Sequence, residues 1–288
     1  MIPGAFEYHR PASVADAVAL MDKLGDEARV LAGGHSLVPM MKLRLATPQY
    51  LVDLGGLAEL KGVRAEGDAV VIGAMTTQHE AILSDLLASK VPILREAALQ
   101  IADPQVRYCG TVGGNVANGD PGNDLPAVMM CLGATYQVRG AKGERRIPAR
   151  DFYEGAYFTA LEPAEIVTAI RIPTPAAGHG YAYEKLKRKI GDYATAAAAV
   201  VLTLSGGRVA SCSIGLTNVA ERPLWAEEAS KLLIGSNLDP TTLKKAVAAA
   251  EAITSPASDN RGPAAYRTKV AGVMLARALA RAHERARA

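Results

Sequence analysis

The stretch A-G-G-H-S-L at residues 32–37 decides how this sequence folds, together with a second stretch, T-V-G-G-N, at residues 111–115. We call them the first and the second glycine loop. Paired glycines let backbone amides point outward together, because no Cβ blocks the strained dihedral angles. Such a concavity binds phosphate oxygens, most readily where a helix begins. Two of them in one chain predict a single diphosphate held from both sides, and hence a dinucleotide site.

The polar residues of the two loops fit that site. The His35 side chain can donate to a phosphate or approach a ring, whereas no neighbouring carboxylate is placed to orient it as a base. The hydroxyls of Ser36 and Thr111 are natural phosphate donors and also helix caps, and the two roles are compatible. Asp124, beyond the second loop, either accepts from a ribose or adenine group or only caps the helix that starts at Leu125.

Composition excludes several functions. The chain has 288 residues, enough for two or three domains, and 49% of them are apolar. A net charge of +3 and an aromatic content of 5% argue against a nucleic-acid partner. No apolar run approaches the ~20 residues of a membrane helix, and residues 1–7 lack a secretory signal. We therefore expect a cytoplasmic protein.

Three cysteines, Cys109, Cys131 and Cys212, are too few for an iron–sulfur cluster, which usually needs about four thiolates. They also lack zinc-site spacing, so we expect reduced thiols without a metal in this chain. G-x-G-x-x-G, G-x-S-x-G and H-E-x-x-H are all missing from the sequence. The usual NAD site and the common catalytic motifs are therefore excluded.

The first part of the chain alternates strand and helix patterns. Strands over 6–10, 29–31 and 50–54, with a helix capped by Ser13, predict a small unit of parallel character. A hairpin over 60–73, a capping box formed by Thr77 and Glu80, an apolar helix over 125–132 and further strands to 172 follow.

A linker over 173–180, rich in proline and glycine, precedes a different pattern. Strands over 181–187, 194–204 and 208–218 are followed by helices over 225–234, 240–253 and from 263 to the end. A three-stranded antiparallel sheet with helices is an α+β domain.

The run K-L-K-R-K at 185–189 has two interpretations. It is either a solvated strand edge kept positive against aggregation, or it brings a lysine to an anionic cofactor with Tyr193 against a flat ring.

The sequence resembles the FAD-binding medium subunits of the molybdenum hydroxylases, nearly end to end. The two glycine loops with Asp124 carry the resemblance to the family as a whole. The segments at 120–124, 178–193 and 215–218 resemble its carbon monoxide dehydrogenase branch.

This resemblance implies a vanillyl-alcohol-oxidase-like (PCMH-type) FAD-binding fold of two α/β subdomains, followed by the C-terminal α+β domain. The FAD-binding domain would span 1–177, with subdomains at about 1–56 and 57–177, and the C-terminal flavoprotein domain would span 178–288. FAD would lie extended between the domains.

The resemblance also assigns the cofactor contacts. The diphosphate would lie on the backbone of Gly33 to Ser36 and of Gly113 to Asn115, Asp124 near the ribose or adenine end, and Leu161, Lys185 and Tyr193 along the flavin ring. The complete set of expected cofactor-binding residues is Ala32, Gly33, Gly34, His35, Ser36, Leu37, Thr111, Gly113, Gly114, Asn115, Asp124, Leu161, Lys185 and Tyr193.

The implied partners are a small subunit with two [2Fe-2S] clusters and a large subunit with a Mo-Cu molybdopterin centre, in a dimer of heterotrimers. Electrons would reach FAD here and pass to a quinone or another acceptor, and the complex could associate with the inner face of the cytoplasmic membrane. The alternatives are the flavin subunit of another molybdenum hydroxylase, acting on an N-heterocycle or aldehyde, a flavin-free scaffold, and a self-sufficient flavin oxidase. The intact glycines argue against the scaffold, and the absence of a substrate base argues against the oxidase.

Overall fold

Three parallel strands form the first sheet of the computed structural model, which describes residues 2–287. Its elements are β1 (Glu7–His9), α1 (Val14–Leu24), β2 (Ala28–Leu31), α2 (Leu37–Lys42) and β3 (Tyr50–Asp53). The strand order is β1-β3-β2, and both pairings are parallel. Ser13 caps α1 by accepting from the Asp16 amide at 3.1 Å. The predicted parallel unit is confirmed, and it places the first glycine loop between β2 and α2.

The second sheet has five strands in the order β4-β5-β10-β6-β7, and every pairing in it is antiparallel. The chain forms six helices between β5 and β6, and two short strands follow β7. The elements of this part are β4 (Val63–Glu66), β5 (Ala69–Gly73), α3 (Gln78–Leu83), α4 (Asp85–Lys90), α5 (Pro92–Ala98), α6 (Pro104–Cys109), α7 (Val112–Ala117), α8 (Asp124–Cys131), β6 (Thr135–Gly140), β7 (Gly143–Pro148), β8 (Tyr153–Gly155), β9 (Phe158–Thr159) and β10 (Ile166–Pro173).

Two helix caps, at Ser84 and Asp103, divide the region between β5 and β6 into shorter helices than the sequence predicts. The capping box of Thr77 and Glu80 is present, but the helix ends at Leu83 because Ser84 caps α4, accepting from the Leu87 amide at 3.3 Å. Asp103 caps the start of α6. It accepts from the Val106 amide at 3.0 Å and starts α6, which holds the chain against the first glycine loop.

The C-terminal part is an antiparallel sheet covered by helices, as predicted. Its elements are β11 (Gly180–Leu186), β12 (Ala196–Ser205), β13 (Arg208–Thr217), β14 (Leu224–Trp225), α9 (Glu227–Leu233), α10 (Pro240–Ala252) and α11 (Ala264–Arg287). The sheet has the order β11-β12-β13-β14. Trp225, which we expected to begin a helix, lies instead in the fourth strand, since its pairing with Gly215 extends the sheet.

The largest hydrophobic core joins the second sheet to the C-terminal sheet. Buried residues of β11 and β12, among them Tyr183, Ala197 and Ala199, pack in the same cluster as α5, α8 and β6. A separate core lies between the C-terminal sheet and α11. The C-terminal sheet is therefore fixed against the helices that precede β6. No helix within residues 2–287 is long and apolar enough to cross a membrane.

Candidate functional site

A cavity of about 660 Å³ opens between the parts of the chain that carry the three sheets. Its volume is within the usual range for a small-molecule or cofactor site. All of the residues predicted to bind the cofactor line this one cavity, although they come from positions as distant as Ala32 and Tyr193. That each of them contacts FAD stays a prediction.

The first glycine loop supplies free hydrogen-bond donors to the cavity. Among residues 2–287, no group of the chain accepts from the amides of Gly33, Gly34, His35 and Ser36. Gly34 has a φ of 72°, which favours glycine. The Ser36 hydroxyl precedes α2 without capping it, and His35 Nδ1 bonds the Gly33 carbonyl at 2.7 Å. Four unpaired amides in sequence can bind an anion.

The second glycine loop differs from our expectation. Its amides bond within the chain: Gly113 donates to the Ala74 carbonyl at 2.8 Å and Gly114 to the Thr111 hydroxyl at 3.0 Å. The amides of Gly113 to Asn115 are therefore already paired within the chain, and their contact with the diphosphate stays a prediction. Gly113 is instead required by packing, since a Cβ there would lie 2.5 Å from the Ala74 Cβ.

The second glycine loop contributes the Asn115 side chain to the cavity. Asn115 Oδ1 is buried and has no hydrogen-bond partner among residues 2–287. Buried polar atoms in proteins are nearly always bonded, so an unpaired one that lines a cavity points to a ligand. The Thr111 hydroxyl accepts from Gly114 and keeps its own hydrogen free to donate.

The two glycine loops lie close together. A Cβ on Gly33 would lie 2.3 Å from the Cys109 carbonyl oxygen and 2.8 Å from the Gly110 Cα. A Cβ on Gly114 would lie 3.4 Å from the Ala32 Cβ. The residues before the second loop thus pack directly on the first loop, and only glycine at position 33 permits that approach.

Asp124 is bound on both oxygens by the C-terminal sheet. Lys185 Nζ donates to its Oδ2 at 2.8 Å, and the Tyr183 hydroxyl donates to its Oδ1. Burial raises the pKa of the Asp124 carboxyl, against the opposing effect of the Lys185 charge. We expected Asp124 at the ribose or adenine end and Lys185 at the flavin ring. The two residues form one ion pair, and which part of FAD each one contacts stays a prediction.

The lysine run is not a solvated strand edge at its start. The Lys185 side chain is 1% exposed, and Lys187 Nζ donates to the Gln100 carbonyl at 3.3 Å. Burial and the nearby charge of Lys185 lower the pKa of the Lys187 ammonium. Arg188 and Lys189 are exposed. The run therefore brings one buried ammonium, that of Lys185, to the cavity wall, where Asp124 pairs with it.

Tyr193 and Leu161 line the cavity from two different loops. The Tyr193 hydroxyl donates to Asp120 Oδ2 at 3.0 Å, and the Tyr157 hydroxyl reaches the same oxygen at 3.2 Å. Leu161 lies in a turn held by Glu165, whose Oε2 accepts from the Glu162 amide at 2.7 Å.

Several lining residues were not predicted from the sequence. They include the apolar residues Met21, Val30, Met40 and Leu54 and several polar residues, among them Gln78, Asn118, Asn123 and Asp192. The apolar residues follow the same pattern as ordinary core positions, and nothing in the sequence distinguishes Gln78. Within residues 2–287, no group of histidine, cysteine and acidic residues could hold a metal ion.

Comparison with known proteins assigns this chain to a family. Residues 4–175 match the FAD binding domain in molybdopterin dehydrogenase, and residues 181–282 match the CO dehydrogenase flavoprotein C-terminal domain. The carbon monoxide dehydrogenase medium chain of Afipia carboxidovorans is 69% identical, with 100% of both chains covered. That of Hydrogenophaga pseudoflava is 50% identical, with 97% of both covered. A solved Cu,Mo-CO dehydrogenase chain superposes with a TM-score of 0.98 at 69% identity, covering 99% of this chain and 100% of that chain.

Proposed function

This chain belongs to the FAD-binding flavoprotein family of the molybdopterin dehydrogenases, and we propose that it is the flavin subunit of an aerobic carbon monoxide dehydrogenase. It is an oxidoreductase subunit that carries FAD for electron transfer. The assignment to carbon monoxide is supported by the 69% identity to a carbon monoxide dehydrogenase medium chain over the full length of both chains.

The observation that carries the cofactor assignment is the set of unpaired polar groups in one cavity. The four amides of residues 33–36 can bind the diphosphate, and Asn115 Oδ1 and the free hydrogen of the Thr111 hydroxyl can bind its neighbours. The buried ammonium of Lys185 also lines this cavity, paired with the Asp124 carboxylate. The residues present therefore fit FAD.

FAD, when bound, accepts electrons from one partner and passes them to another acceptor. The chain's own residues bind and orient it: the first glycine loop holds the diphosphate, and Leu161, Lys185 and Tyr193 lie along the ring. Since Asp124 neutralises Lys185 at 2.8 Å, we place Asp124 at the ring end as well. The reaction with carbon monoxide takes place on another subunit.

We further propose the assembly and the division of the chain. Partners with [2Fe-2S] clusters and a Mo-Cu molybdopterin centre, in a dimer of heterotrimers in the cytoplasm, would deliver electrons here, and a quinone is the proposed acceptor. The boundary between 1–177 and 178–288 is supported by the family matches at 4–175 and 181–282. The subdomains at about 1–56 and 57–177 are supported by the separation of the first sheet from the second.

An anaerobic visible spectrum of the native complex, isolated through this chain, tests the function. We expect carbon monoxide to bleach the oxidised-flavin absorption. A flavin band that is unchanged by carbon monoxide but bleaches with a purine or an aldehyde would assign the chain to another molybdenum hydroxylase. A complex without a flavin band would favour a scaffold.

A further inference from the structure

Gln78 has a buried side chain that the assignments above leave unused. It is the first residue of α3, it is 3% exposed, and it lines the cavity. Its side-chain amide makes no hydrogen bond to any residue in the range 2–287, and its Oε1 is fully buried. Leaving a buried amide unpaired costs free energy in the folded protein. Such a group is retained where a ligand pairs it.

The backbone holds Gln78 firmly in this position. Its amide donates to the Gly110 carbonyl at 2.8 Å. The preceding residue, Thr77, forms a capping box with Glu80, with hydrogen bonds of 2.7 Å and 3.1 Å. The start of α3 is therefore fixed from both directions, and the side chain is not a mobile surface group.

Gln78 lies close to the first glycine loop. A Cβ on Gly110 would lie 3.4 Å from Gln78 Nε2, and a Cβ on Gly33 would lie 2.8 Å from the Gly110 Cα. Only the backbone of Gly110 thus separates the Gln78 amide from the loop whose amides are free. Gln78 and residues 33–36 line the same cavity, so a ligand bound by those amides can also contact Gln78.

The hydrogen-bonding chemistry of Gln78 Oε1 indicates which part of FAD it contacts. A diphosphate only accepts hydrogen bonds, whereas an amide oxygen needs a donor. The groups next to the diphosphate that can donate are the sugar hydroxyls on either side of it. We propose that Gln78 binds FAD through a hydroxyl of the ribityl chain or of the adenosine ribose. This inference rests on the proposed function.

The substitution Gln78→Met distinguishes a role of Gln78 in FAD binding from a role in the stability of the fold. Methionine has a similar length but no polar atom, so the variant removes the unpaired amide without opening a large space. The melting temperature of the deflavinated complex should stay the same or rise, while the Kd for FAD should rise about 10-fold. Opposite effects on stability and affinity are not expected of a merely structural residue. Gln105→Met is the matched control, because Gln105 is an exposed glutamine on neighbouring α6.

The Kd values come from quenching of FAD fluorescence on rebinding to the deflavinated complex, with ADP as a competitor. Weaker ADP binding in Gln78→Met would locate the contact at the ribose, and unchanged ADP binding with weaker FAD binding would locate it at the ribityl chain. An unchanged Kd for FAD would overturn the inference and leave the proposed function intact. A wild-type complex that binds no FAD would overturn both.

Discussion

Lys185 Nζ lies 2.8 Å from Asp124 Oδ2, with both side chains no more than 5% exposed. This ion pair joins β11 of the C-terminal sheet to the first residue of α8. The Tyr183 hydroxyl binds the other oxygen of the same carboxylate, and burial with that carboxylate raises the pKa of Tyr183 well above its usual value. Tyr183 therefore stays a neutral donor, and the carboxylate is fully paired from one strand.

Asp124→Asn should destabilise the protein by about 3–5 kcal/mol, because it leaves the buried Lys185 ammonium without a counter-charge. Denaturant unfolding of the chain measures the loss. The double variant Asp124→Asn with Lys185→Met removes both charges and should recover part of it. Lys189→Met, at an exposed lysine, is the control. Equal losses in the single and double variants would show that the pair is not coupled.

Gly33→Ala should abolish FAD binding, because the new Cβ would lie 2.3 Å from the Cys109 carbonyl oxygen and push the first glycine loop from its position. Overpacking of this kind costs about 1–3 kcal/mol, so the rest of the fold should remain. Flavin content and far-UV circular dichroism of the purified complex measure the two effects. Gly4→Ala, with nothing within 4 Å of the new Cβ, should be neutral. Normal flavin content in Gly33→Ala would remove the first glycine loop from the site.

The elements that the sequence predicts well are those set by local patterns. The parallel unit around β2, the capping box at Thr77, the hairpins and the C-terminal helices follow from periodicity and caps within a few residues. The pairing of the Gly113 amide could not be predicted from the sequence, because its acceptor belongs to Ala74, far away in the chain. The Lys185–Asp124 pair spans 61 positions and no local pattern encodes it. Gln78 is recognisable only once burial is known.

Glu165 should give the protein an acid-sensitive turn next to the cavity. Arg145 binds both of its oxygens at 2.6 Å, and these hydrogen bonds lower the pKa of the Glu165 carboxyl. A lowered pKa adds stability above the unfolded value of about 4.3, and this stability disappears as the pH falls through the folded value. Glu165→Gln should therefore lose about 1 kcal/mol at neutral pH.

The melting temperatures of the wild type and Glu165→Gln, measured from pH 3 to pH 8, test this assignment. The difference should be constant above about pH 5 and vanish as the carboxyl protonates. Glu144→Gln, in a pair whose glutamate is 73% exposed, should show a smaller difference. A gap between wild type and Glu165→Gln that does not narrow at all between pH 5 and pH 3 would attribute the effect to packing.

Glu96 holds the C-terminal part against α5 through two contacts. Its Oε1 accepts from the Tyr183 amide at 2.8 Å, and its Oε2 lies 2.8 Å from the Arg285 guanidinium of α11. Because β11 also carries Lys185, loosening this contact should disturb the cavity wall. Glu96→Gln keeps the bond to Tyr183 and loses only the charge, at about 1 kcal/mol. Glu96→Ala loses both contacts and should cost about 2–3 kcal/mol.

Hydrogen exchange of the β11 amides distinguishes the two variants. Exchange should increase markedly in Glu96→Ala and little in Glu96→Gln, because only alanine frees the Tyr183 amide, and the Kd for FAD should rise in the same order. Glu228→Gln, at a glutamate 75% exposed on α9, should change neither quantity. Faster exchange in Glu96→Ala with an unchanged Kd would mean that the cavity wall is held by the Lys185–Asp124 pair alone, so that strand β11 can loosen at Tyr183 without moving the lysine.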